Sequence, residues 1–173
     1  MNNKLVDYAK EFAIFAHGEQ KRKYSGTPYW EHPQEVVNIL IENGIIDENV
    51  LAAAWLHDVL EDTAVTESVL RERFGNVVTD IVVGLTDVSK PSDGNRKARK
   101  EKDRFHISIQ PIIVKNIKLA DLISNSRSIL KWSETNLEAR SFWKIYREEK
   151  LALLYVLQEC NPQLLALAKS YVQ

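Results

Sequence analysis

The densest group of chemistry-bearing side chains in the sequence is His57-Asp58-Val59-Leu60-Glu61-Asp62. It closes an almost wholly apolar run from Val50 to Leu56. A helix that apolar is expected to be buried, and charge at its end then needs compensation. His57 and Glu61 are four residues apart, as are Asp58 and Asp62. On one continuous helix both pairs project along neighbouring lines. An imidazole beside carboxylates suits a divalent cation of borderline hardness, such as manganese, iron or zinc. Taken alone, a His-Asp dipeptide is more often a hydrogen-bonded structural pair or a helix-end cap than a metal site.

Further positions bear on that choice. His32 stands in Tyr29-Trp30-Glu31-His32-Pro33, at a loop-to-helix junction. It either joins the cluster or touches the first turn of its own helix. Asp121 ends Ile117-Lys118-Leu119-Ala120-Asp121, on an otherwise apolar face, with Asn125 one turn on. That pattern is a metal ligand with a supporting amide, or a surface carboxylate beside Lys118. Arg22-Lys23 and the basic run Asn95–Arg104 offer cations for phosphate, or a solvated face. Within the run Arg96 and Arg99 lie about one turn apart.

These residues need elements to position them, and helical periodicity dominates the chain. Leu5, Tyr8, Ala9, Phe12, Ala13 and Ala16 predict a first helix ending near Gly18. Residues 21–30 are a loop with Gly26 and Pro28 as breakers. Pro33 opens a second helix with Val36, Val37, Leu40 and Ile41 as its apolar residues and Gly44 as a left-handed cap. Asp47 caps a third, expected to run unbroken to about Asp62. Thr66 caps a fourth, stopped near Gly75, and a fifth covers 77–85, where Ile81-Val82-Val83 also permits a short strand. Residues 90–94 are a polar break. Pro111 opens an apolar helix, and two more are expected at 137–159 and 162–172. The prediction is one all-α domain over 1–173, of about seven to nine helices.

The totals agree with a single domain. The chain has 173 residues, 45% hydrophobic and 27% charged, enough for one core. A net charge of -1 gives no global basic field, so no nucleic-acid partner is expected. The only Cys, Cys160, permits no intrachain disulfide and no Cys-based zinc site. No apolar run approaches the roughly 18 residues of a membrane span. Met1-Asn2-Asn3-Lys4 leads into an amphipathic pattern rather than a signal core. A cytoplasmic protein without membrane association is expected. Trp132, Phe142 and Trp143 are either a partner face or cover for the core, and the sequence leaves the oligomeric state open.

The spacing His32, His57-Asp58, Asp121 resembles the H…HD…D signature of HD phosphohydrolases. The resemblance extends from about residue 5 to 130. The segment from His17 through Gln20, Arg22-Lys23 and Pro28-Tyr29 to His32-Pro33 is similar to the opening of RelA/SpoT-type hydrolase domains. So are Leu56–Thr63, Phe74-Gly75, Gly84-Leu85-Thr86 and Lys118–Arg127. The resemblance implies a metal, manganese in this family, on His32, His57, Asp58 and Asp121. It implies that Glu61 and Asp62 orient or deprotonate the attacking water. It implies nucleotide contacts from Arg22, Lys23 and Asn125, and places Tyr146 near the base. Arg96 and Arg99 are the candidates for a pyrophosphate.

The expected activity is removal of the 3′-pyrophosphate from (p)ppGpp, a small-molecule nucleotide. The chain departs from the long RelA/SpoT proteins in having Leu122-Ile123-Ser124-Asn125 where they carry Arg-Leu-His-Asn. This fits the short, hydrolase-only branch and removes a possible Arg and His from the site. No synthetase domain is expected beyond Gln173. The alternatives are the same metal chemistry on ppApp, NADPH or another nucleotide phosphate, a nucleotide-sensing module without turnover, and a metal-free interaction domain.

Overall fold

In the computed structural model the described residues are 4–173, and the Met1-Asn2-Asn3 part of the N-terminal reading lies outside them. The hydrophobic heart is α3 (Glu48–Leu56), buried on every side from Val50 to Leu56. Its start is fixed by Asp47, whose Oδ1 accepts the N–H of Asn49 and of Val50 at 2.9 and 3.2 Å. Around it pack α1 (Lys4–His17), α2 (Glu31–Glu42) and α5 (Glu67–Leu85). The long α7 (Ile112–Ser133) lies across α2, with α8 (Leu137–Leu154) and α9 (Pro162–Val172) on its other side. A one-turn α4 (Val59–Asp62) and the basic α6 (Arg96–Ser108) complete nine α-helices among the described residues, with a 3₁₀ turn at Pro91–Asp93. The all-α expectation holds, and 81–83 are helical.

Three details differ from the periodicity. The third helix does not reach Asp62. It ends at Leu56, the His57 ring bonds the Ala54 carbonyl at 2.8 Å, and Asp58, at φ -101° and ψ -3°, starts α4. A side chain that bonds the last carbonyls of a helix competes with its continuation. Glu61 and Asp62 therefore lie on a separate short helix, not on the line of His57. The predicted stop at Gly75 holds, since α5 is two helical segments that meet at a kink there. Gly75 has φ 75° and ψ 177°, a backbone that Gly adopts freely. In α2 Val36, Val37 and Leu40 are buried as expected, but the fourth core residue is Ile39, while Ile41 is 46% exposed. The helix at 137–159 stops at Leu154, because the turn after it is pinned by Asn161, whose N–H donates to Asn116 Oδ1 and whose Nδ2 donates to the Asn43 carbonyl. No described helix is long and apolar enough to cross a membrane.

Candidate metal and active site

Three elements bring four side chains to one point. His32 sits in the first turn of α2, His57 and Asp58 at the α3–α4 junction, and Asp121 in the middle of α7. His57 Nε2 lies 2.9 Å from Asp58 Oδ2 and 3.9 Å from Asp121 Oδ1. His32 Nε2 lies 3.2 Å from Asp121 Oδ1 and 3.6 Å from Asp58 Oδ2. The two Nε2 atoms are 3.3 Å apart. The donor atoms of His32, His57 and Asp58 fall within 4.8 Å of one another, a span a single ion can bridge.

The tautomers follow from the surroundings. His57 Nδ1 faces the Ala54 carbonyl, which only accepts, so Nδ1 carries the proton. His32 Nδ1 lies 2.9 Å from Ser124 Oγ, and that hydroxyl donates to Glu35 Oε2 at 2.8 Å. With its proton directed to Glu35, Ser124 receives the proton of His32 Nδ1. Both imidazoles thus direct Nε2 into a pocket that also holds two carboxylates. The carboxylates there are compensated by a proton on His57 Nε2 or, in its place, by a cation held among the four side chains. The residues present fit a divalent metal.

The electrostatics agree. Burial works against charge on His57, yet the adjacent Asp58 outweighs it and holds the imidazole up to about 9. Burial would raise Asp58, and His57 more than reverses this, so its carboxyl lies well below the usual range. Asp121 is likewise held low against burial, first by Lys118, whose Nζ is 3.5 Å from Asp121 Oδ2. Burial lowers His32. The two carboxylates favour positive charge at this centre, whether a proton on His57 or a cation in its place.

A supporting shell surrounds the four. Tyr29 donates its hydroxyl to Asp58 Oδ2 at 2.5 Å, and Asn125 Nδ2 donates to Asp121 Oδ1 at 2.5 Å. Arg22 reaches Asn125 Oδ1 at 3.3 Å. At the mouth, Glu61 Oε1 accepts the N–H of Asp87 at 2.8 Å, and Asp62 Oδ2 accepts from Gln20 Nε2 at 3.0 Å. Glu61 is pushed up to about 7, first by partial desolvation against the protein and then by the Asp87 carboxylate.

Two hollows flank the centre. One, of about 270 Å³, is lined by Arg22, His32, Glu35, Arg127, Lys131 and Trp132, among others. The other, of about 530 Å³, lies between α6, α7 and α8, and its cations are Arg96, Lys97, Lys100, Arg104, Lys118 and Lys150. Several of these are already paired. Arg96 forks onto Glu149 at 2.6 and 2.9 Å, and Lys100 contacts Asp87 at 2.7 Å. Lys97 and Lys150 make no ion pair among the described residues. Lys150 lies 4.9 Å from the centre of the Tyr146 ring, and burial, then Lys118, lowers it to about 8.

The structure therefore gathers His32, His57, Asp58, Asp121, Asn125 and Arg22, with Glu61 and Asp62 at the rim. Lys23 turns outward to Glu138 at 2.6 Å. Arg96 lines the cleft, but Arg99 does not. Residues 96, 100 and 104 share one face of α6 while 99 rotates off it, its Nε buried without a hydrogen-bond partner. Tyr146 is 6% exposed, its hydroxyl 3.5 Å from the Leu122 carbonyl. Trp132, Phe142 and Trp143 are half-buried rather than forming an open face. Sequence reasoning missed Tyr29, Ser124, Glu35, Lys118 and Lys150 as site residues. The sequence held a signal for Lys118 and Ser124, which flank Asp121 at one helical turn on either side. It held none for Lys150.

A protein-family model described as HD domain matches residues 9–148. The probable guanosine-3′,5′-bis(diphosphate) 3′-pyrophosphohydrolase of Mycoplasma pneumoniae is 36% identical over 135 residues, covering 73% of this chain and 18% of that protein. The chain thus spans under a fifth of that relative. The guanosine-3′,5′-bis(diphosphate) 3′-pyrophosphohydrolase of Xenopus tropicalis is 36% identical over 146 residues, 80% of each chain. Among solved structures, a metazoan ortholog of SpoT that hydrolyzes ppGpp superposes with a TM-score of 0.82 at 29% identity, over 96% of this chain and 93% of that one.

Proposed function

The chain belongs to the HD-domain family, and from that premise we propose that it is a metal-dependent hydrolase that removes the 3′-pyrophosphate from (p)ppGpp, releasing GDP or GTP and pyrophosphate. The observation that carries the reading is the convergence of His32, His57, Asp58 and Asp121 on one point, with two rim carboxylates beside it. The relatives of matching length act, by their names, on this substrate.

His32, His57, Asp58 and Asp121 would hold the cation, and two imidazoles with two carboxylates suit manganese among the divalent metals. When bound, the metal supplies Lewis acidity toward the phosphate and lowers the pKa of water. The chain's own groups do the rest. Glu61, poised near neutrality, takes the proton of the attacking water, and Asp62 orients that water. The water adds to the phosphorus attached to the ribose 3′-oxygen, and that oxygen leaves with its bonding pair and takes up a proton. Arg22 and Asn125 hold the nucleoside beside Asp121, with Arg22 free to clamp phosphate or stack on a base. Lys97 and Lys150 offer the basic cleft's unpaired charge to the remaining phosphates. Arg96 and Lys23 serve only by leaving Glu149 and Glu138, Arg99 only after its side chain moves into the cleft, and Tyr146 shapes the wall behind Lys150. We place the enzyme in the cytoplasm, where Cys160 stays a buried free thiol.

The test is product release by purified protein with manganese, with and without chelator, on ppGpp, ppApp, NADPH and nucleoside monophosphates. Chelator-sensitive pyrophosphate release from ppGpp is expected. Turnover of ppApp or NADPH alone moves the assignment to another nucleotide. Metal and nucleotide binding with no turnover makes the chain a sensing module.

A further inference from the structure

Gln20 sits in the loop after α1 and touches Asp62 from 42 residues away in sequence. Its amide makes two side-chain contacts, and their chemistry is forced. Asp62 Oδ2 is a carboxylate oxygen and only accepts, so Gln20 must present its Nε2 donor there, at 3.0 Å. Gln20 Oε1 then faces His17 Nδ1 at 2.8 Å, and the imidazole must donate from Nδ1. The backbone locks Gln20 as well, its N–H donating to the His17 carbonyl and its carbonyl accepting from Tyr29 N, both at 2.9 Å. Among the described residues Gln20 is the only side chain hydrogen-bonded to Asp62, which is otherwise an exposed residue at the end of a one-turn helix.

His17 does a second thing from the same place. It is 6% exposed, and its ring packs on Tyr29 with centroids 4.6 Å apart. Tyr29 in turn donates to Asp58. One buried imidazole in the last turn of α1 therefore supports two arms, one reaching the rim carboxylate through Gln20 and one reaching the metal-side carboxylate through Tyr29.

We propose that Gln20 is the positioning residue that aims Asp62 at the attacking water, and that His17 fixes Gln20 in the one amide orientation that can do so. The proposal deepens the hydrolase reading and rests on the role of Asp62 given there. Other residues around Asp62 do not replace this contact, and an exposed aspartate without it samples its rotamers freely. Outer partners of this kind act on rate through geometry.

The test compares Q20L, H17L, H17N and Y29F with the wild type in the full chain. Q20L keeps the bulk and loses the donor. It should lower kcat by about 10–100-fold with KM and the manganese Kd, read by calorimetry, unchanged. H17L should lower kcat similarly, and the H17L/Q20L double variant should be no slower than Q20L, since both break one chain. H17N places an amide donor where Nδ1 stood and should recover most of the kcat lost in H17L. Y29F should weaken manganese binding. An unchanged kcat in Q20L, a loss carried equally by metal affinity, or H17N no better than H17L would overturn the proposal. Should the wild type hydrolyse none of the nucleotides, the hydrolase reading fails separately. Crystal structures of wild type and Q20L with manganese then decide. Asp62 displaced in Q20L supports the positioning role, and Asp62 in the same place refutes it.

Discussion

The backbone N–H of Asp87 donates to Glu61 Oε1 at 2.8 Å. The carboxylate assigned to the water's proton is thus oriented by the loop that follows α5, not by its own helix. That loop is itself held from α6. Asp103, 5% exposed, accepts from Val88 N and Ser89 N at 3.1 and 2.9 Å through Oδ1, and from Ser89 Oγ at 2.9 Å through Oδ2. Lys100, one turn before Asp103, pairs with Asp87.

Replacing Asp103 should therefore reach the reaction indirectly. D103A strands two backbone amides and a hydroxyl, at about 1–3 kcal/mol for a buried donor left unpaired. Thermal unfolding should show that loss, and kcat should fall because Glu61 loses its amide. D103N keeps one acceptor oxygen and should lie between wild type and D103A in both. A lowered unfolding temperature with unchanged kcat would separate the loop from Glu61.

The pH dependence follows from two groups. Glu61 is raised to about 7, chiefly by desolvation. It works as a base only when ionised, so kcat/KM should climb as pH rises through about 7. Lys150 is lowered to about 8 by burial and by Lys118. In its proposed role it binds phosphate only when protonated, so the rate should fall as pH rises through about 8. A narrow bell with its top between the two is expected. E61Q should abolish the acid limb along with most of the activity.

Lys150→Met tests the basic cleft. A charged hydrogen bond contributes about 1.5–3 kcal/mol, so KM for a substrate bearing additional phosphates should rise by roughly 10–100-fold with little change in kcat. The alkaline limb of the pH profile should disappear in the same variant. An unchanged KM would place those phosphates elsewhere.

The metal centre predicts its own stability signature. On the proposed reading manganese is held by four residues from three elements of the folded chain, so the unfolding temperature of the wild type should rise with manganese concentration. D121N removes one charged donor next to His32 Nε2 and should lose most of this response. Chelator should lower the wild type to the level of its metal-free form and leave D121N nearly unmoved. Metal analysis and calorimetry measure both.

Much of the fold and of the site is legible in the residues themselves. The helices follow from periods of three and four, and the Asp47 and Thr66 caps from residue chemistry. Both are local rules, in which a side chain and its near neighbours decide. The proposed metal set is legible through the resemblance of His32, His57-Asp58 and Asp121 to the H…HD…D signature, with His57-Asp58 also standing out as charge at the end of a buried apolar run. The tertiary structure decided what depends on rotation and on contact across the chain. The break at His57-Asp58 is local, an imidazole bonding the Ala54 carbonyl three residues back, but apolar periodicity does not show it. The loss of Arg99 from the cleft depends on the orientation α6 takes against α7 and α8. Lys23 is drawn away by Glu138 and Arg96 by Glu149, partners 115 and 53 residues distant. Lys150, Asp103 and Gln20 acquire their roles only through such long-range contacts. Periodicity fixes which face of a helix is apolar. What stands opposite that face is set by the packing of the helices, and here that packing decides which cations are free and which carboxylates are aimed.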